Sequence, residues 1–220
     1  MSRRRLGALV LVPVTALALA ISTMIVAAPS GADASARANR ASFHDAMRKL
    51  WEDHITWTRL FIVSAATESG NLPDLGPTVD RLLQNQSDIG NAIKPFYGDA
   101  AGDELTALLR VHILTAADIV IAAKAGDTAA QDAAIADWYA NADDIAAFLH
   151  AANPNRWPLH DLQMMMQDHL DLTLQEAVDR LQGHYVADVE DYDRVHDEIL
   201  QMADMLSDGI IAQFPGKFAR

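Results

Sequence analysis

His54, His112 and His169 stand where an apolar residue is due in three separate helical stripes, and His196 stands beside Val195 at the edge of a fourth. A neutral imidazole buried on such a stripe needs a polar partner, and two buried imidazolium ions repel each other. A transition metal answers both needs, because imidazole nitrogen is a common ligand of zinc, copper and iron. Asp193, one turn before His196, adds a carboxylate to the same candidate set of His54, His112, His169, Asp193 and His196. A ring of acids and amides satisfies buried imidazoles equally well, and Asn141, Asp168, Asp171 and Asp193 are placed to form one. His44, His150, His160 and His184 fall near helix ends or among polar neighbours, where a solvated ring needs no role.

The motifs of known helical metal centres are absent. No glutamate is followed three residues later by histidine, which excludes the standard ferritin-like di-iron arrangement; Asp193-x-x-His196 is the nearest substitute. His-x-x-x-Glu, His-x-x-x-His and His-Glu-x-x-His are missing as well, so hemerythrin-like and zincin sites are not expected. Met164, Met165 and Met166 followed by His169, with Met202 and Met205 later, offer thioether ligands for copper or b-type haem, although methionine also simply fills helix contacts. The sequence has no Gly-x-Ser-x-Gly, phosphate-binding loop or dinucleotide fingerprint. Trp51, Trp57, Arg59, Trp138 and Tyr139 are candidates to line a pocket or to serve as core and rim.

These side chains need elements to hold them. Phe43, Met47, Leu50, His54, Trp57, Phe61 and Ala65 alternate three and four apart, which predicts a helix over about 42–66. Val79, Leu82, Gln86, Ile89 and Ile93 predict a second, after the Gly70-Asn71-Leu72-Pro73 and Gly76-Pro77 breaks and as far as Pro95. A turn at 95–99 precedes a third stripe through Leu105, Leu109, His112, Ala116 and Ile119, closed by Gly126 as a C-terminal cap. Asp127 caps a fourth helix, 128–152, stopped by Asn153-Pro154-Asn155. Pro158 opens a fifth through Leu162, Met165, His169 and Leu172, with a break predicted at the capping-box pattern 173–176. A last helix runs over about 185–213. Short connections make this an all-α, antiparallel up-and-down helical bundle of five to six helices. At 1.5 Å of rise per residue, the four stripe histidines lie roughly 14–18 Å from the starts of their helices, in one mid-bundle layer.

Composition agrees. Half of the 220 residues are hydrophobic but only 6% are aromatic, so alanine and leucine carry the core, which favours helices. The absence of cysteine excludes disulfides, thiolate metal sites, c-type haem and a thiol nucleophile. Arg3, Arg4 and Arg5 before an uncharged run from Leu6 to Ala28, then Ala32-x-Ala34 and Ala34-x-Ala36, read as an export signal or N-terminal anchor over 1–34. A linker over 35–41, a single domain over 42–214 and a tail over 215–220 complete the organisation. The positive-inside bias places the domain outside the cytoplasm, with a membrane contacted only through the N-terminal segment if that is uncleaved. A net charge of -13 argues against nucleic acid as a partner and leaves a metal ion, a small ligand or a protein.

The strings LWEDHITWTR at 50–59, PFYG at 95–98, WYANADD at 138–144 and MADMLSD at 202–208 resemble a family of uncharacterised exported or membrane-anchored helical-bundle proteins of bacteria. The resemblance spans nearly all of the chain after the signal and implies one helical domain, with no catalytic residue attached. Two functions fit these observations. One is an extracytoplasmic bundle that binds a metal ion or small ligand in its histidine layer. The other is a non-enzymatic envelope protein that presents an acidic surface to a partner, its histidines purely structural. Three protein ligands with an open position leave room for hydrolytic or redox chemistry, but spacing alone assigns no general base.

Overall fold

The computed structural model describes residues 31–67 and 71–219. The expected signal over 1–34 falls largely on residues 1–30, outside the described residues, as does Gly70 of the first predicted turn. Six long helices make the fold: α1 (Gly31–Ala65), α2 (Leu75–Tyr97), α3 (Asp99–Ala125), α4 (Thr128–Ala152), α5 (Leu159–Leu181) and α6 (Tyr185–Gln213), with a short 3-10 turn at Pro215–Lys217. Among the described residues there is no strand. Each helix packs on the next in sequence and α6 returns to α1, so the antiparallel helices close a ring. Within that ring α1 also touches α3 and α5, which brings three parallel helices to the bundle axis.

Local chemistry accounts for most boundaries. Gly126 takes the left-handed conformation at φ +68° that ends α3, and the Asp127 side chain accepts the Ala130 N–H at 3.0 Å to start α4. Three boundaries differ from expectation. α1 is helical from Gly31, the first described residue, and runs through residues 35–41, read as a linker; Ala32, Ala34, Ala36 and Ala38 interleaved with Arg37 and Arg40 are strong helix formers. Pro95 lies inside the last turn of α2, which ends instead at Gly98, φ +88°, whose N–H donates to Lys94 O at 2.9 Å. α5 passes uninterrupted through 173–176, because Thr173 and Glu176 are both buried by tertiary packing rather than used as caps. The tail also folds back: Phe218 is buried, its ring 5.3 Å from that of Phe43 and 5.7 Å from that of Phe96.

The core is built on the predicted stripes. Met47, Trp51 and Ile55 of α1 meet Ile89, Leu105, Leu109, Trp138, Ile145, Met166, Leu170, Val195 and Ile199 in one main cluster. A smaller cluster around Phe61, Ile62, Leu82, Ile113, Val120 and Ala177 continues it. α2 and α3 pack backbone against backbone at Gly90 and Gly102, where a Cβ on Gly102 would stand 2.6 Å from the Gly90 carbonyl oxygen. Gly102→Ala gains about 1 kcal/mol in helix propensity but forces backbone apart at a cost of up to about 3 kcal/mol. The expected net is a loss of roughly 2 kcal/mol, a Tm lower by about 4–8 °C. An unchanged melt would show that the two helices part freely.

Membrane contact was expected through the N-terminal segment alone, and α3 contradicts this. Among the described residues, the helix long and apolar enough to cross a membrane, by length and composition, is α3, in the middle of the chain. Membrane compatibility is therefore not confined to the N-terminal segment. The cause is a helix apolar on two sides: Leu105, Leu109 and Ile119 face the core, while Val111, Leu114 and Ile121 are exposed.

Candidate metal centre

His54 of α1, His112 of α3 and His169 of α5 meet at the bundle axis, each at most 4% exposed. Their ring centroids are 6.3, 5.8 and 6.2 Å apart, and one ring nitrogen from each lies within 4.8 Å of the other two. A tetrahedral ion at about 2.0–2.1 Å from each nitrogen holds them roughly 3.3 Å apart, so modest ring rotations complete such a site. The cluster is thus capable of coordinating a transition metal ion.

Nδ1 of each ring is held by the neighbouring helix in the ring of six. His54 Nδ1 bonds Gln86 Oε1 of α2 at 3.2 Å, His112 Nδ1 bonds Asn141 Oδ1 of α4 at 3.2 Å, and His169 Nδ1 bonds Glu198 Oε2 of α6 at 2.9 Å. The amide orientations are themselves pinned: Gln86 Nε2 donates to Leu82 O and Asn85 Oδ1, and Asn141 Nδ2 donates to Leu108 O. Each partner therefore presents an oxygen, which requires a proton on Nδ1 of the histidine. A neutral ring with Nδ1–H has its lone pair on Nε2, the tautomer a metal ligand uses.

The predicted site divides cleanly. Asp193 is exposed on α6, and His196 turns outward to Glu52, its Nε2 2.9 Å from Oε1, so neither joins the axial cluster. Of the acids and amides expected around the layer, Asn141 is there. Asp171 is occupied by the Tyr139 hydroxyl, and Asp193 is absent. Gln86 and Glu198 went unassigned at the sequence level. Gln86 left a signal as a polar residue on the apolar stripe of α2, whereas Glu198, beside Ile199, left none. Met166 and Met202 are core side chains, and Met164 is half exposed. Trp57 carries Arg81 over its ring at 5.2 Å.

A second polar cluster lies one to two turns farther along α1 and α5. Arg59 bridges Glu176 (Nη1 to Oε1, 2.9 Å) and Asp188 (Nη2 to Oδ2, 3.0 Å), with Arg180 3.4 Å from Asp188 and the Arg59 guanidinium 5.5 Å over the Tyr192 ring. Burial raises the Glu176 carboxyl to about 7 against the opposing pull of Arg59.

Burial pushes His54 down to about 3, with repulsion from His169 adding to it, and lowers His112 well below its ordinary value for the same reasons. Without a metal, these rings stay neutral in the folded chain while their unfolded counterparts take up protons below about 6.5. Stability is therefore lost as pH falls from about 6.5 toward 3, by roughly 1.3 kcal/mol per histidine between pH 7.5 and 5.5. Glu176 acts in the opposite sense, since its raised folded value lets the native state gain a proton first on acidification. In the metal-free Glu176→Gln protein, where that opposing contribution is gone, Tm should fall by about 5–10 °C between pH 7.5 and 5.5. Equal melts would mean that the rings titrate alike in both states.

Compared with known proteins, the chain matches no family model, no curated protein and no solved structure.

Proposed function

We propose that this protein is an extracytoplasmic metal-binding bundle that holds one divalent transition metal, zinc ahead of copper or iron, on His54, His112 and His169. The observation that carries the reading is the set of three fixed tautomers: Gln86, Asn141 and Glu198 each take the outer N–H of one ring, and three lone pairs are left to share one centre. Oriented imidazoles with outer hydrogen-bond acceptors are the usual support of a histidine metal site. Three neutral nitrogens with a fourth position open match the preference of zinc, which needs no particular d-electron geometry. Glu198, hydrogen-bonded to His169, puts one negative charge beside the dication. The export-type segment at the N-terminus, Arg3 to Arg5 followed by uncharged residues to Ala28, supports the location.

The test is metal analysis and calorimetric titration of the purified chain after chelator treatment. One zinc per chain, displaced by copper, is the expected result. Failure to retain zinc, copper or iron above trace levels would discard the reading. Cell fractionation checks the location independently: cytoplasmic recovery of the full-length chain would refute it.

A further inference from the structure

α3 carries an apolar row on its outer face. Ala107, Val111, Leu114, Ile121 and Ala125 recur three, four or seven positions apart and all are exposed, Val111 by 50%, Leu114 by 49% and Ile121 by 63%. The row is distinct from the buried stripe of Leu105, Leu109, His112 and Ile119 on the same helix. At 1.5 Å of rise per residue it extends roughly 27 Å along α3. A contiguous apolar strip on a surface marks an interaction site. Charges are set into this one: exposed Asp118 fills the remaining place in the row, and exposed Arg110 and Lys124 flank it.

The charges identify the occupant as a second copy of this chain. When α3 packs antiparallel on another α3 with Leu114 at the centre, residues equally distant from Leu114 come to the same level. Arg110 and Asp118, four positions either side, then meet twice, once on each side of the twofold axis. Glu104 and Lys124, ten positions either side, share a level as well, but Lys124 Nζ is already held by Asn71 Oδ1 at 2.9 Å. Arg110 and Asp118 of one chain are about 12 Å apart along the helix and do not pair with each other. Among the described residues Asp118 makes no hydrogen bond or ion pair, and Arg110 has only Leu83 O at 3.5 Å. A parallel arrangement would set each charge against its own copy, and a lipid surface would strip water from Asp118 without pairing it. The outer faces of α4 and α5 offer no such match: exposed Asp137, Asp143 and Asp144 on one, and Asp161, Asp168 and Asp171 on the other, repel a second acidic chain.

We infer that the protein forms a symmetric dimer by antiparallel packing of α3 on α3, with Leu114 meeting its own copy at the axis and Arg110 pairing with Asp118 of the partner subunit. Opposite charges beside an apolar seam set both the partner and its direction. His112 is turned about 200° from Leu114 around the helix, so the seam and the histidine cluster use opposite faces of α3. The dimer therefore stands independently of metal binding, and it accounts for a helix that is apolar on two sides.

The sequence contains no cysteine, so Leu114→Cys in the full-length chain introduces a single thiol. A disulfide requires Cα atoms about 4.4–6.8 Å apart, and only residues at the axis meet their own copies that closely. Oxidised Leu114→Cys should run as a covalent dimer, and Ala136→Cys, exposed on α4, should not. Sedimentation equilibrium of the parent should show a reversible dimer. Arg110→Asp and Asp118→Arg should each raise its Kd about tenfold or more, because each sets like charges together on both sides of the axis. Combining the two exchanges the signs and should return Kd to within about threefold of the parent. A monomeric parent would overturn the dimer. If that monomer bound vesicles of phosphatidylethanolamine and phosphatidylglycerol, and Leu114→Glu abolished the binding, the face would belong to lipid instead. A dimer indifferent to both charge reversals would place the assembly on another surface. Loss in each single variant without recovery in the double would overturn the pairing of Arg110 with Asp118, and Ala136→Cys cross-linking as readily as Leu114→Cys would overturn the axis.

Discussion

His112→Ala should lose stoichiometric metal uptake, with affinity reduced by well over 100-fold, because one of three nitrogens disappears and, among the described residues, no other histidine or carboxylate joins the cluster. The effect exceeds that of removing an outer partner, which typically weakens a metal site by 10–100-fold. Asn141→Leu therefore provides a graded comparison. It removes the oxygen at 3.2 Å that fixes the His112 tautomer while leaving all three rings in place. Its binding should fall between those of the parent and His112→Ala. Thermal melts give a second readout: zinc at 100 times its Kd stabilises the native parent by about 2.7 kcal/mol, a rise in Tm of roughly 5–10 °C. His112→Ala should show no such rise. A variant that binds zinc as tightly as the parent would place the metal elsewhere or nowhere, and the histidine layer would then be a hydrogen-bonded network alone.

The largest stability effect is expected at Arg59. Its guanidinium is the shared partner of Glu176 and Asp188, whose side chains are 2% and 0% exposed. Arg59→Met keeps the aliphatic bulk against the Tyr192 ring but strands two carboxylates in the interior, and breaking a buried pair in this way costs about 3–5 kcal/mol. The lower figure is the better expectation. Glu176, already raised to about 7 by burial, escapes by taking a proton, and Asp188 keeps Arg180 at 3.4 Å. A loss of about 3 kcal/mol lowers Tm by roughly 6–12 °C. Adding Glu176→Gln to Arg59→Met should recover part of it, because one of the stranded charges is gone. A single variant as stable as the parent would mean that water reaches both carboxylates.

The helical architecture was legible in the sequence because its signals are local. α4 runs from Thr128 to Ala152 as its cap and its Asn153-Pro154 stop predict, and α6 from Tyr185 to Gln213 follows its stripe. Where the expectation failed, a nonlocal contact prevailed over a local signal. The capping-box pattern at 173–176 was overridden by the burial of Glu176 against Arg59. The tail was drawn back by the packing of Phe218 against Phe43 and Phe96.

The histidine cluster divides in the same way. His54, His112 and His169 could be chosen from the sequence because a residue on a buried stripe must face the axis, and a constant rise per residue gives its depth. His196 has the right depth but the wrong direction. Each helical residue is rotated about 100° from the last, so with Val195 and Ile199 packed into the core, His196 is turned toward Glu52 and Asp193 farther still, to the outer face. At the edge of a stripe that rotation is set by how α6 seats against α1 and α5, which no spacing within α6 records. The same seating chose Glu198, rather than the sequence neighbours Asp168 and Asp171, to hold His169. Sequence determined which rings are buried and at what level, and only the packing of six helices decided which atoms they share.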